Sequence, residues 1–329
     1  MPIALLKFPT DLLGEVFKEC NPFELYNVSL CSKRIRIVLK SRMPRCWKIS
    51  SDFIAIGVMC RNDDAYKFEA ASRPEDCYKV NVRRTMQIKF RNGKVMDSLD
   101  YMLDIFGCST MKCMAFLVYN DLLKFSKIAI DKKLEIEECH IDEMNNDQEF
   151  SDSLALINQM NITKLIELDH RVSSRIVPHR ITRFPDELRI YNSSWFSIEQ
   201  LMICTSAAIY LRDSYLNNED MDRFLQKWKR GELPNLRVMK GSSVKLDGES
   251  PILEMYPPIR GQTKTTIKRI SVDDPYTIYG VKVHNDQGLE GLLEINLTPR
   301  YSRFAFIVID PTDTVTEEID ENFVGAEED

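Results

Sequence analysis

Short apolar runs recur along most of this chain, at 85–90, 114–119, 133–137, 164–168, 187–191, 207–211 and 236–239, and this recurrence constrains the fold more than any other feature. Their centres lie about 20 to 30 residues apart, room for one strand and one helix per step. Several alternate with period two, as at Leu134 and Ile136, which places successive side chains on opposite faces of a strand. Helical stretches fit between them at 95–105, 152–160, 197–204 and 218–229. Such repetition predicts parallel strands side by side with their helices on the flank.

The stretch 191–239 is the most consistent part. Trp195 and a helix from Ser197 to Leu201 lead to Cys204, then to a strand through Ala208, Ile209, Tyr210 and Leu211. Asn217, Asn218, Glu219 and Asp220 open the next helix, which turns Phe224, Leu225 and Trp228 inward and closes on Lys227, Lys229, Arg230 and Gly231. Capping Asn and acids at the start, bases and Gly at the end, suit both helix termini and the helix dipole. Farther on, 279–288, 291–297 and 304–309 read as antiparallel strands, with a turn at Asp286-Gln287-Gly288 where Gly accepts a positive φ. The fold class expected is therefore α+β: three small N-terminal helices, then an irregular leucine-rich-repeat-like α/β solenoid closing with antiparallel β hairpins. The L-x-x-L-x-L-x-x-N/C spacing is poorly kept, so an α/β sandwich of mixed strands is the competing architecture.

Composition narrows the chemistry. The chain has 12 glycines in 329 residues, about half the usual share of roughly 7%, and they are scattered. No G-x-G-x-x-G or G-x-x-x-x-G-K-S/T occurs, which argues against a fold that cradles phosphate on bare backbone. Glycines such as Gly93, Gly107, Gly231 and Gly288 instead fall at expected element ends. Nine cysteines without dense spacing point to free thiols and a reducing compartment, cytoplasm or nucleus. The stretch 1–11 is too short and too charged for a signal peptide, and no apolar run approaches the roughly 20 residues of a membrane span.

Net charge is −6, but it is unevenly spread. Residues 313–329 hold eight acids and no base, a pattern expected of a disordered acidic tail. Residues 33–48 hold seven bases and no acid. A nucleic-acid contact there is the less favoured reading, because no interleaved stacking aromatics accompany the run; a solvated helix face is preferred.

Before residue 50 the periodicity is purely helical. After Pro9, with Thr10 or Asp11 available as cap, Leu12, Leu13, Val16, Phe17 and Cys20 share one side of a helix. Asn21-Pro22 breaks it and starts a second, with Asn21 as N-cap and Pro22 in the first turn, where a missing N–H costs nothing. That helix offers Phe23, Leu25, Tyr26 and Leu30; Ser32 caps a third, with Ile35, Val38 and Leu39 inward and its bases outward. Three short helices bury little surface on their own and must lean on the rest of the chain or on a partner.

This N-terminal unit resembles the F-box over residues 4 to 48. Phe8-Pro9 stands at the family's Leu-Pro, Leu12-Leu13 and Val16-Phe17 follow at its spacing, Asn21-Pro22-Phe23-Glu24-Leu25 matches its acidic-Pro-x-x-Leu turn, Leu30-Cys31-Ser32-Lys33 its Leu-Val-Ser-Lys/Arg, and Trp47 its closing Trp. The stretch 191–239 and the closing strands are similar to the F-box-associated type 2 domain of the large nematode F-box family, with His284 where a basic residue is usual. The resemblance implies residues 1–48 as an adaptor-docking domain, 49–310 as a target-recognition domain and 311–329 as tail. It implies a substrate receptor of a Skp–cullin–F-box ubiquitin ligase that binds a Skp-family adaptor directly, the cullin complex indirectly, and a target protein of unknown identity. Phe8, Pro9, Leu12, Leu13, Pro22, Phe23, Leu25, Leu30, Cys31, Ser32 and Lys33 are the residues it implies for the adaptor, divided between an internal core and a docking face; the family motif places Pro9, Pro22, Leu25 and the stretch Leu30 to Lys33 on the docked face.

No cofactor, metal or catalytic residue is expected. Cys139 and His140 are adjacent, so on a strand they point to opposite faces and cannot act as nucleophile and base together. Cys108 and Cys113 lack a second pair at zinc-site spacing. His170 and His179 flank an Arg-rich loop and are expected at the surface; Glu137, Glu138, Asp142 and Glu143 are expected as a solvated edge. An interaction protein acting outside a ligase, or a nucleic-acid binder using 33–48, are the alternatives.

Overall fold

The computed structural model describes residues 8–42, 47–52, 54–59, 65–81, 83–90, 94–173, 177–269, 272–312 and 314–319. Gly93, Arg45 and the acidic stretch 320–329 lie outside the described residues. The chain divides into two compact units, Met1–Lys164 and Leu165–Asp329. The architecture is mixed α+β, with N-terminal helices followed by largely parallel sheet.

The first unit opens with α1 (Thr10–Lys18), α2 (Pro22–Cys31) and α3 (Lys33–Arg42). Pro9, rather than Thr10 or Asp11, is the N-cap of α1 and offers no side-chain bond. Asn21 caps α2 as expected: its Oδ1 accepts from the backbone of Phe23 (3.0 Å) and Glu24 (3.1 Å), while Glu24 Oε2 accepts from the Asn21 N–H (2.9 Å). This reciprocal box satisfies donors that a helix start otherwise leaves bare. Ser32 Oγ accepts from the Arg34 N–H at 3.2 Å and so opens α3.

Behind these helices stand β1 (Lys48–Ser51), β2 (Ala55–Met59), β3 (Ala65–Ala70), β4 (Thr85–Ile88), β5 (Thr110–Phe116) and β6 (Glu135–Ile141), hydrogen-bonded in the order β6-β5-β1-β2-β3-β4. β5 pairs parallel with β6 and β1, whereas β1, β2 and β3 form an antiparallel meander. Helices α4 (Val95–Phe106), α5 (Tyr119–Lys132) and α6 (Asp147–Ile157) complete the unit. The helix α5, absent from the expected set, buries Leu122, Phe125, Ser126 and Ala129, one stripe at helical spacing.

β7 (Asn161–Asp169) carries the chain into the second unit, where from Leu165 on it runs parallel with β8 (Glu187–Tyr191), β9 (Ala208–Ser214) and β10 (Val238–Ser243). They are joined by α7 (Ile198–Ile203) and α8 (Asn218–Lys229), which match the two expected helices closely. Asn217 caps α8, with Asp220 closing the box; Phe224, Leu225 and Trp228 are buried. Gly231 ends the helix at φ +75°, a conformation that a side chain would strain.

The sheet then turns antiparallel through β13 (Val281–His284), β14 (Glu290–Asn296) and β15 (Ser302–Ile309), which pairs with β10. A small sheet of β11 (Lys264–Arg269), β12 (Val272–Ile278) and β16 (Thr314–Ile319) lies over one part of it, through Ile267 and Ile278 against Val238, Leu292 and Ile307. The strand β16 falls within the tail for which no order was expected. Backbone pairing with β11 satisfies its N–H and C=O groups, which charge alone does not forbid. No helix among the described residues is long and apolar enough to cross a membrane.

Candidate functional site

Packing divides the apolar residues of the three helices into two sets. Leu13 and Leu25 are completely buried, Pro22 is buried, and Phe23 retains 6% of its surface. Phe23 stands edge-on to Tyr66 and Phe68 with ring centroids 5.2 and 5.1 Å away, and Tyr26 leans on Phe68 and Tyr101. Such contacts add about 0.5–1.5 kcal/mol per pair beyond burial. Ser29 Oγ and Tyr101 Oη share a 2.9 Å hydrogen bond, and Trp47 packs against Phe106. Four of the residues implied for docking, Leu13, Pro22, Phe23 and Leu25, therefore anchor the helices within the first unit.

The other set faces solvent. Pro9, Leu12, Leu30, Cys31 and Lys33 are exposed, while Phe8 and Ser32 are partly covered. Ile37 joins them and is the most exposed large apolar residue described, at 67%. It lies one turn beyond Lys33 and Arg34 on α3, and Arg34 Nη2 donates to the Phe8 carbonyl at 3.2 Å, tying the start of α3 to the approach to α1. Leu12, placed on the inner stripe by its spacing, is 47% exposed. The stripe of α1 is narrower than period alone implies, because Leu13 and Phe17 already fill the contact.

Ion pairs hold this frame. Asp104 of α4 receives Lys40 of α3 at 2.5 Å and Lys132 of α5 at 2.6 Å. Burial pushes its carboxyl up, but the two ammonium hydrogen bonds outweigh that and hold it below the usual range. Glu137 is buried on β6, and Lys48 and Lys164 both pair with it. Burial again opposes, and the two lysines again win, so its pKa is depressed. Glu137 was expected on a solvated edge; its neighbours alternate, and its odd position on β6 turns it inward.

A different surface occurs in the second unit. Arg189, Tyr210 and Lys240 are register neighbours across β8, β9 and β10. They lie on the face away from α8, whose Trp228 packs on Phe306 at 4.7 Å. Arg189 lies over Tyr210 at 5.5 Å, Lys240 lies over Tyr276 at 3.5 Å, and the two tyrosine hydroxyls hydrogen-bond at 2.8 Å. A cavity of about 330 Å³ adjoins them, lined also by Tyr191, Arg212, Ser242 and Arg303. Its floor requires Gly241: a Cβ there would stand 1.8 Å from the Leu211 carbonyl oxygen. The described cavity walls carry four bases and no acid, although Glu187 at 2.5 Å and Glu167 at 3.5 Å, on the same face of the sheet, pair with Arg189 from beside it. Nothing in linear spacing marks Arg212 or Arg303; parallel and antiparallel pairing brings them together.

Of the residues weighed for chemistry, Cys139 is fully buried, its thiol pushed up to about 12 by burial, and His140 points to the other face of β6. His170, expected at the surface, is 3% exposed, whereas His179 is exposed. A larger cavity, about 680 Å³ at the end of β5, is lined by Lys94, Lys124, Lys127, Asp52, Asp121 and Asn120 with apolar residues, and its described lining holds no Cys, His or Ser.

The geometry so far is a braced helical unit with apolar residues on its outer surface, and a sheet face bearing cations and tyrosines. Residues 5–47 match the family model of the F-box domain, and residues 178–240 match that of the F-box associated family FBA_2. The two matches support an F-box protein with an FBA_2 segment, substrate-receptor-like in its organisation. No curated protein and no solved structure matches it. The FBA_2 match contains Arg189, Tyr191, Tyr210, Arg212 and Lys240.

Proposed function

We propose that this protein is the substrate receptor of a Skp–cullin–F-box ubiquitin ligase. Residues 1–48 dock a Skp-family adaptor, residues 49–310 capture the target, and ubiquitin transfer belongs to other subunits, so the chain needs no catalytic group or cofactor. Within each unit the alternation of strands and helices is read as an irregular, leucine-rich-repeat-like scaffold that presents its open sheet face.

The observation that carries this reading is the outward set on the three helices. Scattered exposed leucines are ordinary on any protein. Here Pro9, Leu12, Leu30 and Ile37 stand outside a helical unit whose inner residues are already satisfied, and the Arg34 bond to Phe8 fixes two of the helix starts together. Apolar anchors on helix faces are what a groove between partner helices takes up. Pro9, Leu12, Leu30 and Ile37 are the docking anchors, with Cys31 and Lys33 at their rim; Leu13, Pro22, Phe23 and Leu25 act indirectly by holding the helices. At the other end, the cationic and aromatic face around Arg212 and Arg303 fits an acidic segment of the target.

The test is co-expression with a Skp-family adaptor. Wild type co-elutes with the adaptor and, through it, with cullin, while Pro9→Ala combined with Leu30→Ala removes both. A folded wild-type chain that elutes without adaptor overturns the proposal. Retention of adaptor without cullin would identify an interaction protein outside a ligase.

A further inference from the structure

A second cluster lies in the first unit, apart from the docking helices. Cys113 of β5 and Glu138 of β6 are register partners on adjacent parallel strands. His140 follows Glu138 by two residues and so shares its face of the sheet. That face is opposite the one on which Phe116 packs against Phe125 of α5. One ligating atom from each of Cys113, Glu138 and His140 lies within 4.8 Å of the other two, and all three residues are partly buried. His140 Nε2 and Glu138 Oε2 are 3.8 Å apart.

The strand register explains the convergence. Ala115 faces His140 across the pair, and its small side chain leaves room for the imidazole to lean toward Cys113. A tetrahedral centre with metal–ligand bonds of about 2.0–2.3 Å needs ligand atoms about 3.3–3.8 Å apart. The cluster reaches that spacing by an adjustment of about 1.5 Å at most, within reach of side-chain rotation. Sulfur, imidazole nitrogen and carboxylate oxygen together match a borderline-soft divalent ion; the hard ions Mg²⁺ and Ca²⁺ take oxygen only.

We propose that Cys113, Glu138 and His140 form a zinc-class metal site with a fourth position open to solvent. The open position takes water, as three protein ligands leave it. On binding, the Cys113 thiol loses its proton to the buffer and the thiolate, the carboxylate and neutral His140 share the ion, so affinity rises with pH. The metal cross-links β5 to β6 from the face opposite α5. The linear spacing hides this site because two ligands sit on one strand and the third on its neighbour.

The test is titration of the full-length, metal-free chain with Co²⁺, then displacement by Zn²⁺. Wild type develops an intense near-ultraviolet thiolate-to-cobalt band with visible bands of tetrahedral strength, and Zn²⁺ abolishes them. Loss of an outer partner of a metal site already costs about 10- to 100-fold, so Cys113→Ser is expected to weaken Co²⁺ binding about 100-fold or more and to remove the sulfur band. Cys77→Ser, elsewhere in the first unit, leaves it intact. His140→Ala and Glu138→Gln, on partly exposed positions, keep the sulfur band but weaken binding, which holds the test open if Cys113→Ser fails to fold. Alkylation mapped by mass spectrometry adds a readout on wild type alone: Zn²⁺ protects Cys113 and leaves Cys77 reactive. Absence of the band in wild type, its survival in Cys113→Ser, or alkylation of Cys113 unchanged by Zn²⁺ overturns the proposal.

Discussion

The three N-terminal helices and the open sheet face of the second unit both present groups to solvent, by opposite means. The helices bury Leu13, Phe23 and Leu25 completely or nearly so and leave Pro9, Leu12, Leu30 and Ile37 outside. The face of β8, β9, β10 and β15 instead presents Arg189, Tyr210, Lys240, Arg212 and Arg303 around a cavity. An apolar set gains from being removed from water by any complementary groove, whereas a cationic set discriminates by charge and pays for desolvation. The difference teaches two kinds of selectivity: the apolar set depends on shape, whereas the cationic set depends on the partner's charge.

That contrast breaks first if the inward and outward sets of the helices behave alike. Phe23→Ala and Leu25→Ala are expected to cost about 2–5 kcal/mol of unfolding free energy, because each leaves a cavity in a filled interior. Urea unfolding of the full chain checks this. Leu30→Ala and Ile37→Ala are expected to leave unfolding within about 0.5 kcal/mol of wild type while weakening the adaptor roughly thirtyfold, about 2 kcal/mol. Equal losses of stability in both sets, read by the same melts, would erase the distinction.

The second surface sharpens the comparison through salt. Arg212→Glu with Arg303→Glu is expected to lower affinity for an acidic peptide about tenfold at low ionic strength and less at 0.5 M salt, since exposed charges are screened. Adaptor binding should be unchanged by the same pair, and calorimetry on both partners separates the two. A smaller effect concerns pH. The folded-state pKa of Glu137 is depressed by Lys48 and Lys164, so its stabilisation is fully present above the unfolded value of about 4.3 and is lost as pH falls through the lower folded value. Glu137→Gln should therefore flatten the acid limb of the stability curve, measured by urea midpoints from pH 6 downward, with the largest gap from wild type above that limb.

Much of the local structure was legible in the sequence. Asn217 to Lys229 carried its cap, its inward face and its terminal charges in one continuous stretch, and α8 forms where that pattern ends and begins. The helix α5 is equally periodic at Leu122, Phe125, Ser126 and Ala129, yet it lies between two apolar runs that read as strands, and short apolar runs do not distinguish strand from buried helix. β11 and β12 carry no linear strand signal, because Thr, Lys and Asp dominate them; backbone pairing and the burial of Ile267 and Ile278 hold them.

The candidate surfaces were legible only in part. The F-box residues lie within one short stretch, so their family pattern survives in the linear order, and so does the FBA_2 pattern around α8. Which of those residues of α2 turn inward was decided by Tyr66, Phe68 and Tyr101, which come from other elements and fill its inner side. The cluster of Cys113 with Glu138 and His140, and that of Arg212 with Arg303, exist only because strand register brings distant residues abreast. The sequence by itself determined caps, periods and the helical N-terminal unit, since these depend on neighbours a few bonds apart. Tertiary structure alone decided exposure and convergence, since both depend on what packs or pairs from far along the chain.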